Sequence, residues 1–90
     1  MFKFSNEKNI QIKAQRGVDF YDVLAYIKKH GVIANYKHPN EQKYPNQYIF
    51  VVELNNYIHY VPYVKDGDDI FLKNIIPSRK LNKKYKGKKR

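Results

Sequence analysis

The chain has 90 residues, a formal net charge of +10 and no cysteine. That length leaves room for one domain, and the missing cysteine excludes disulfides, thiolate metal sites and thiol nucleophiles. The longest apolar runs fall far short of the roughly 20 residues a membrane-spanning helix needs. Residues 1–11 are polar and charged, without the apolar stretch of a secretory signal, so a soluble cytoplasmic protein is expected.

Phe2-Lys3-Phe4 alternates like a short strand. Ser5 can cap a helix over residues 6–16, and Gly17 is a natural stop. A second helix is signalled more strongly. Asp19 is a good N-cap, Asp22 occupies the capping-box position, and Val18 and Val23 stand where a hydrophobic staple would place them. Phe20, Val23, Leu24 and Ile27 recur at helical spacing, so one face is expected to be buried. Lys28, Lys29 and His30 suit the negative end of the helix dipole, and Gly31 supplies a left-handed cap.

Strand patterns follow. Residues 32–36 predict a strand, and 38–46, with two prolines, a loop. Residues 47–54 are rich in β-branched and aromatic side chains. Asn55-Asn56 tolerates the positive φ of a two-residue hairpin turn, so residues 57–64 return antiparallel. This register sets Leu54 opposite Tyr57, Val52 opposite His59 and Phe50 opposite Val61 on one face, with Val51, Tyr60, Ile49 and Pro62 on the other. Both faces are partly apolar, and the pattern leaves open which one meets the helices. Pro62 lacks a ladder donor and predicts an edge or a bulge. Residues 65–69 predict a turn and 70–75 the last strand. A short helix over about 80–86 can form, with Gly87 and charge repulsion opposing it. The expected fold class is α+β: a short N-terminal strand, two helices, an antiparallel meander of about four strands, and a basic C-terminal tail from about residue 79.

The charge is uneven. Eight of the eighteen basic residues lie in 79–90 (Arg79, Lys80, Lys83, Lys84, Lys86, Lys88, Lys89 and Arg90), where no acid occurs. The remaining ten face eight acids, a balance of only +2. Such a stripe attracts phosphate and releases counterions on binding nucleic acid. It would equally serve as a solvated tail, for which Lys86 and the residues beyond it are the natural candidates.

Two segments carry a resemblance. Phe2-Lys3-Phe4-Ser5-Asn6-Glu7-Lys8-Asn9, followed by Arg16-Gly17-Val18-Asp19-Phe20-Tyr21-Asp22-Val23, resembles the start of BrnT toxins. Those open with an aromatic strand, a capped helix containing a lysine, and a His-Gly-Val-Ser-Phe-Glu-Glu-Ala stretch. Ile75-Ile76-Pro77-Ser78-Arg79-Lys80-Leu81 resembles the family's Ile-Ile-Ser-Ala-Arg-Lys-Ala strand end, and a basic segment with a tyrosine, here Tyr85, follows in both. Arg16 stands where the family has histidine. The resemblance implies a RelE-like fold and a metal-independent endoribonuclease that inhibits translation, acting on RNA that includes ribosome-associated mRNA. It also implies a cognate BrnA-like antitoxin and a toxin dimer within the antitoxin complex. No cofactor is expected.

Cutting RNA without a metal needs a proton acceptor for the 2′-OH, a donor for the leaving 5′-oxygen, and cations for the phosphorane charge. RelE-like enzymes generally use arginine, lysine and tyrosine for this. Arg79, with a planar fork for phosphate, and Lys80 are the first candidates. Tyr85 could stack on a base or donate a proton, and His38 could act as an acid–base group or simply cap its loop. Arg16, Lys43, Lys83, Lys84 and Lys86 are the candidates for holding RNA, with Lys43 and Tyr44 beside His38 as a second arm of a cleft. Arg16 reads equally as a plain surface residue, His59 reads as a core residue, and His30 as a helix-terminal cation. No metal-ligand spacing is present. Asp66-Gly67-Asp68-Asp69 lacks the remaining ligands of a calcium loop and reads as a turn. Two alternatives stay open: a non-catalytic nucleic-acid-binding module, in effect a degenerate toxin on the same fold, and an interaction protein whose basic face docks an acidic partner.

Overall fold

The computed structural model describes residues 1–86. Gly87, Lys88, Lys89 and Arg90, the end of the basic segment, lie outside the described residues. The elements run β1 (Phe2–Lys3), α1 (Asn6–Arg16), α2 (Phe20–His30), β2 (Ala34–Lys37), β3 (Gln47–Leu54), β4 (Tyr57–Asp66), β5 (Asp69–Leu72), β6 (Ile76–Pro77) and α3 (Arg79–Lys86).

Local chemistry sets the helix ends. Ser5 Oγ accepts the Lys8 N–H at 3.1 Å, and α1 stops at Gly17, whose φ of 75° is left-handed. Asp19 and Asp22 form a reciprocal capping box at 3.1 and 2.9 Å. The staple residues Val18 and Val23 are both buried. Gly31 ends α2 with φ 75° and ψ −158°, an extended positive-φ conformation and not the left-handed cap the sequence suggests. Asn9 ties the two helices together, its Oδ1 accepting the buried Phe20 N–H at 2.7 Å.

The sheet order is β1-β5-β4-β3-β2, with β6 also pairing β4. The Asn55-Asn56 turn takes positive φ at both residues (51° and 63°) and delivers the expected register, Leu54 opposite Tyr57 through Gln47 opposite Val64. Three features differ from a simple antiparallel meander. The N-terminal strand joins the sheet, running parallel to β5 with Phe2 beside Ile70. The predicted 70–75 strand breaks after Leu72, and the chain returns to β4 as β6. Residues 79–86, expected as part of a basic tail, form a helix.

Pro62 explains the break. Leu54 and Tyr57 close the two-residue hairpin, so alternate pairs from there exchange backbone bonds and Pro62 falls between them, facing away from β3. On that side β5 pairs only from Tyr63 onward and β6 only with His59 and Tyr60. The Pro62 carbonyl accepts the Lys73 N–H at 2.8 Å, and its missing donor faces the gap. The strand is interior, so it is its neighbour that is interrupted.

The helices decide which sheet face is core. Phe50, Val52, Leu54, Val61, Tyr63 and Leu72 pack with Ile12, Val18, Phe20 and Val23 in one buried cluster. Tyr63 stacks on Phe50 at 4.0 Å and donates its hydroxyl to Asn35 Oδ1 at 2.7 Å. His59 shares this face and is buried (6% exposed), its Nδ1–H donating to the Tyr57 carbonyl at 2.9 Å. The opposite face carries Val51 and Ile58, both buried, with α3 packed on β4 at Ile58, and then Tyr36, Ile49, Tyr60, Pro62, Val64 and Phe71, which stay half-buried or exposed.

Candidate nucleic-acid interface

α3 forms despite its charge because one of its faces has partners. Ser78 caps it, its Oγ accepting the Leu81 N–H at 3.1 Å. Asn82 Oδ1 accepts the Ile58 N–H at 3.0 Å, satisfying a β4 donor where β6 ends. Lys86 Nζ reaches the hairpin turn, donating to the Asn56 carbonyl and to Asn56 Oδ1, both at 2.7 Å, and pairing with Glu53 at 3.2 Å. The Tyr85 hydroxyl hydrogen-bonds that of Tyr36 on β2. Beneath the helix Val51 and Ile58 are 0% and 1% exposed, and burying side chains of that size contributes about 1.5–3 kcal/mol each.

The outer face of α3 is a different surface. Arg79, Lys80, Lys83 and Lys84 are exposed, and none of them makes an ion pair among the described residues. Arg79 with Lys83 and Lys80 with Lys84 are like charges one turn apart, which weaken a helix by about 0.2–0.5 kcal/mol per pair. Arg79 and Lys80 also sit at the positive end of the helix dipole, the unfavourable end for cations. An anion laid along this face relieves both effects.

At the first turn of α3 the sheet opens into a cleft of about 380 Å³ lined by Tyr36, His38, Pro39, Ile49, Tyr60, Ser78 and Leu81. His38 enters it from the β2–β3 loop. Its Nδ1 accepts the Asn40 N–H at 3.0 Å, so in the neutral ring the proton resides on Nε2. Tyr44 packs against the imidazole at 4.3 Å, and Lys43 Nζ stands 5.5 Å over the Tyr44 ring. The loop therefore places Lys43, Tyr44 and His38 in one stack beside the cleft, while Arg79 and Lys80 follow its lining residue Ser78 on the outer face of α3. The hydrogen bond to Tyr36, together with burial and the neighbouring phenol, holds the Tyr85 phenol above its ordinary value.

Two expected RNA-binding residues sit elsewhere. Arg16 ends α1 on the helical side of the sheet, where its charge reaches the buried His59. Lys86 points inward to Glu53 and Asn56 and anchors α3. Tyr36 and Tyr60 line the cleft without having been singled out in the sequence. The hairpin register does place Tyr60 on the face away from His59, but nothing local brings Tyr36 to Tyr85, which lie 49 residues apart. Among the described residues no three histidine, cysteine or acidic side chains gather as a metal site, and no helix is long and apolar enough to cross a membrane. Comparisons with family models, with curated proteins and with solved structures find no match to this chain.

Proposed function

We propose that this protein is the toxin of a toxin–antitoxin pair, a BrnT-like, RelE-like endoribonuclease that cleaves RNA without a metal and so inhibits translation in the cytoplasm. What supports it best is that α3, whose first turn lines the His38 cleft through Ser78 and Leu81, carries on its outer face four cations that make no ion pair among the described residues. In this reading Arg79 and Lys80 hold the scissile phosphate and neutralise the phosphorane, while Lys83, Lys84 and Lys43 grip the flanking backbone. The substrate's 2′-oxygen passes its proton to a solvent water and bonds to phosphorus. The bond from phosphorus to the 5′-oxygen breaks, and that oxygen takes a proton, leaving a cyclic phosphate and a 5′-hydroxyl. The Nε2–H of His38 in the cleft is the first candidate donor for the last step, and Tyr85, which lines a neighbouring cavity and bonds the cleft residue Tyr36, is the second. A BrnA-like antitoxin, bridging two copies of the toxin, would mask the basic face.

A second reading has its own support. The Nδ1 lone pair of His38 is committed to Asn40, so this imidazole is not set up as a base. A non-catalytic nucleic-acid-binding module on the same fold needs no base. The test is incubation of purified protein with labelled single-stranded RNA in EDTA, beside Arg79→Ala. Cyclic-phosphate products that fall about 10²–10³-fold in rate with the variant are expected. Intact RNA that shifts on a gel, with the shift weakening steeply in salt, supports the binding module. RNA that neither breaks nor binds at low salt refutes both and leaves an acidic protein partner.

A further inference from the structure

The open sheet face does not end at the His38 cleft. Across β3 and β4 it continues past Ile49, Tyr60 and Pro62 to Phe71 on β5, whose register partner Val64 lies on this face. Phe71 and Lys73 line two adjoining clefts there, of about 560 and 390 Å³. The larger lies beside β5 next to the two-residue β1 pairing, and Lys8 of α1 and Lys73 both line it. Neither lysine makes an ion pair among the described residues. Of the nearby acids, Asp69 is already paired with Lys3 at 3.1 Å, and Asp66 lines the smaller cleft.

We infer that this end of the face is a second nucleotide subsite, stacking an unpaired base on Phe71 and holding the adjoining phosphate between Lys8 and Lys73. The inference rests on the nucleic-acid reading above but not on cleavage. Lys3 Nζ, held by Asp69, stands 5.7 Å over the Phe71 ring, so a base stacks there beside or in place of that cation. An aromatic ring flanked by lysines fits a nucleotide, whose base is planar and whose phosphate is anionic. An acidic peptide would use the lysines and leave the ring idle. Spacing agrees: β2 to β5 is three strand intervals, about 14 Å, a span within the roughly four-nucleotide footprint of the smallest single-strand sites.

The test is a titration of labelled single-stranded RNA of about twelve nucleotides, well beyond that footprint, into the full chain, with a duplex of the same length alongside. In the Lys8→Glu/Lys73→Glu variant the single strand is expected to bind about tenfold more weakly, with the salt slope flattened by about 0.7 per lysine. Glu at position 8 completes a capping box with Ser5, so the variant keeps its helix, which circular dichroism checks. Phe71→Leu keeps an apolar side chain but removes the ring. It should weaken the single strand several-fold and leave the duplex unchanged. Wild-type affinity in the double variant, or equal loss for strand and duplex in Phe71→Leu, overturns the subsite. RNA that is bound but never cut, with both variants behaving as expected, leaves the subsite standing and removes the ribonuclease reading. Cleavage that depends on Arg79 with unaltered binding in both variants does the reverse.

Discussion

Asn9 is the residue whose loss has the most calculable effect. It is 8% exposed, and its Oδ1 accepts the N–H of Phe20, a residue with no exposure at all. Phe20 opens α2, and the first donors of a helix have no partner within it. Asn9→Ala therefore leaves a buried N–H unsatisfied, at about 1–3 kcal/mol, with about 2 kcal/mol a fair central figure. In a domain of this size each kcal/mol moves the melting temperature by about 4–8 °C, so a drop of about 8–16 °C is expected. Thermal melts followed by circular dichroism, with urea midpoints to confirm an unchanged m value, measure it. Asn6→Ala, at an exposed position on the same helix, is the control and should stay within about 0.5 kcal/mol. An Asn9→Ala protein melting within about 2 °C of wild type would refute the argument, because the Phe20 donor would then have another partner. α1 and α2 lie on the sheet face opposite the His38 cleft, so RNA binding at that cleft well below the melting temperature should not change.

Lys86→Met removes the ion pair to Glu53 and two hydrogen bonds to Asn56. The expected loss is about 1 kcal/mol, with faster amide exchange in α3 than in α2. Equal exchange in the two helices would show that Lys86 does not anchor α3. His59 gives a pH signature. Burial pushes its imidazole below the ordinary 6.5, the Tyr57 carbonyl pulls it back, and the Arg16 charge lowers it again. Its contribution to stability is complete above pH 6.5 and declines below it, because the unfolded chain takes up the proton while the folded chain resists it. His59→Gln should flatten urea-midpoint profiles between neutral and acid pH, and an unchanged profile would contradict the assignment. Tyr85→Phe should remove one phenol titrating above the ordinary 10.0, read from phenolate absorbance. If Tyr85 protonates the leaving oxygen, the same variant lowers cleavage about 10²-fold or more; unchanged cleavage assigns the donation to another group.

What the sequence by itself determined was the local structure. Ser5, the Asp19–Asp22 pair and the glycine at the end of α1 act over a few residues, and they end the helices where they would in any fold. Asn55-Asn56 set the hairpin register by the conformations its own backbone can take, and that register carried His59 to the helical face with Val52 and Val61. Only the tertiary structure decided the rest. Two sheet faces of comparable apolarity could not be told apart until Phe20 and Val23 chose the Phe50 face. The parallel pairing of β1 with β5 joins segments 68 residues apart in register, beyond the reach of any local pattern. The basic segment 79–86 has no intrinsic reason to be helical. Its like charges oppose the helix, and it forms because Glu53, Asn56 and Tyr36 wait on the sheet with an apolar floor beneath them. That docking turns Lys86 inward, leaves Arg79, Lys80, Lys83 and Lys84 outward, and brings His38 to the start of α3. Helix caps and turns are settled by neighbours in the chain. Sites are settled by side chains that meet only once the sheet has closed.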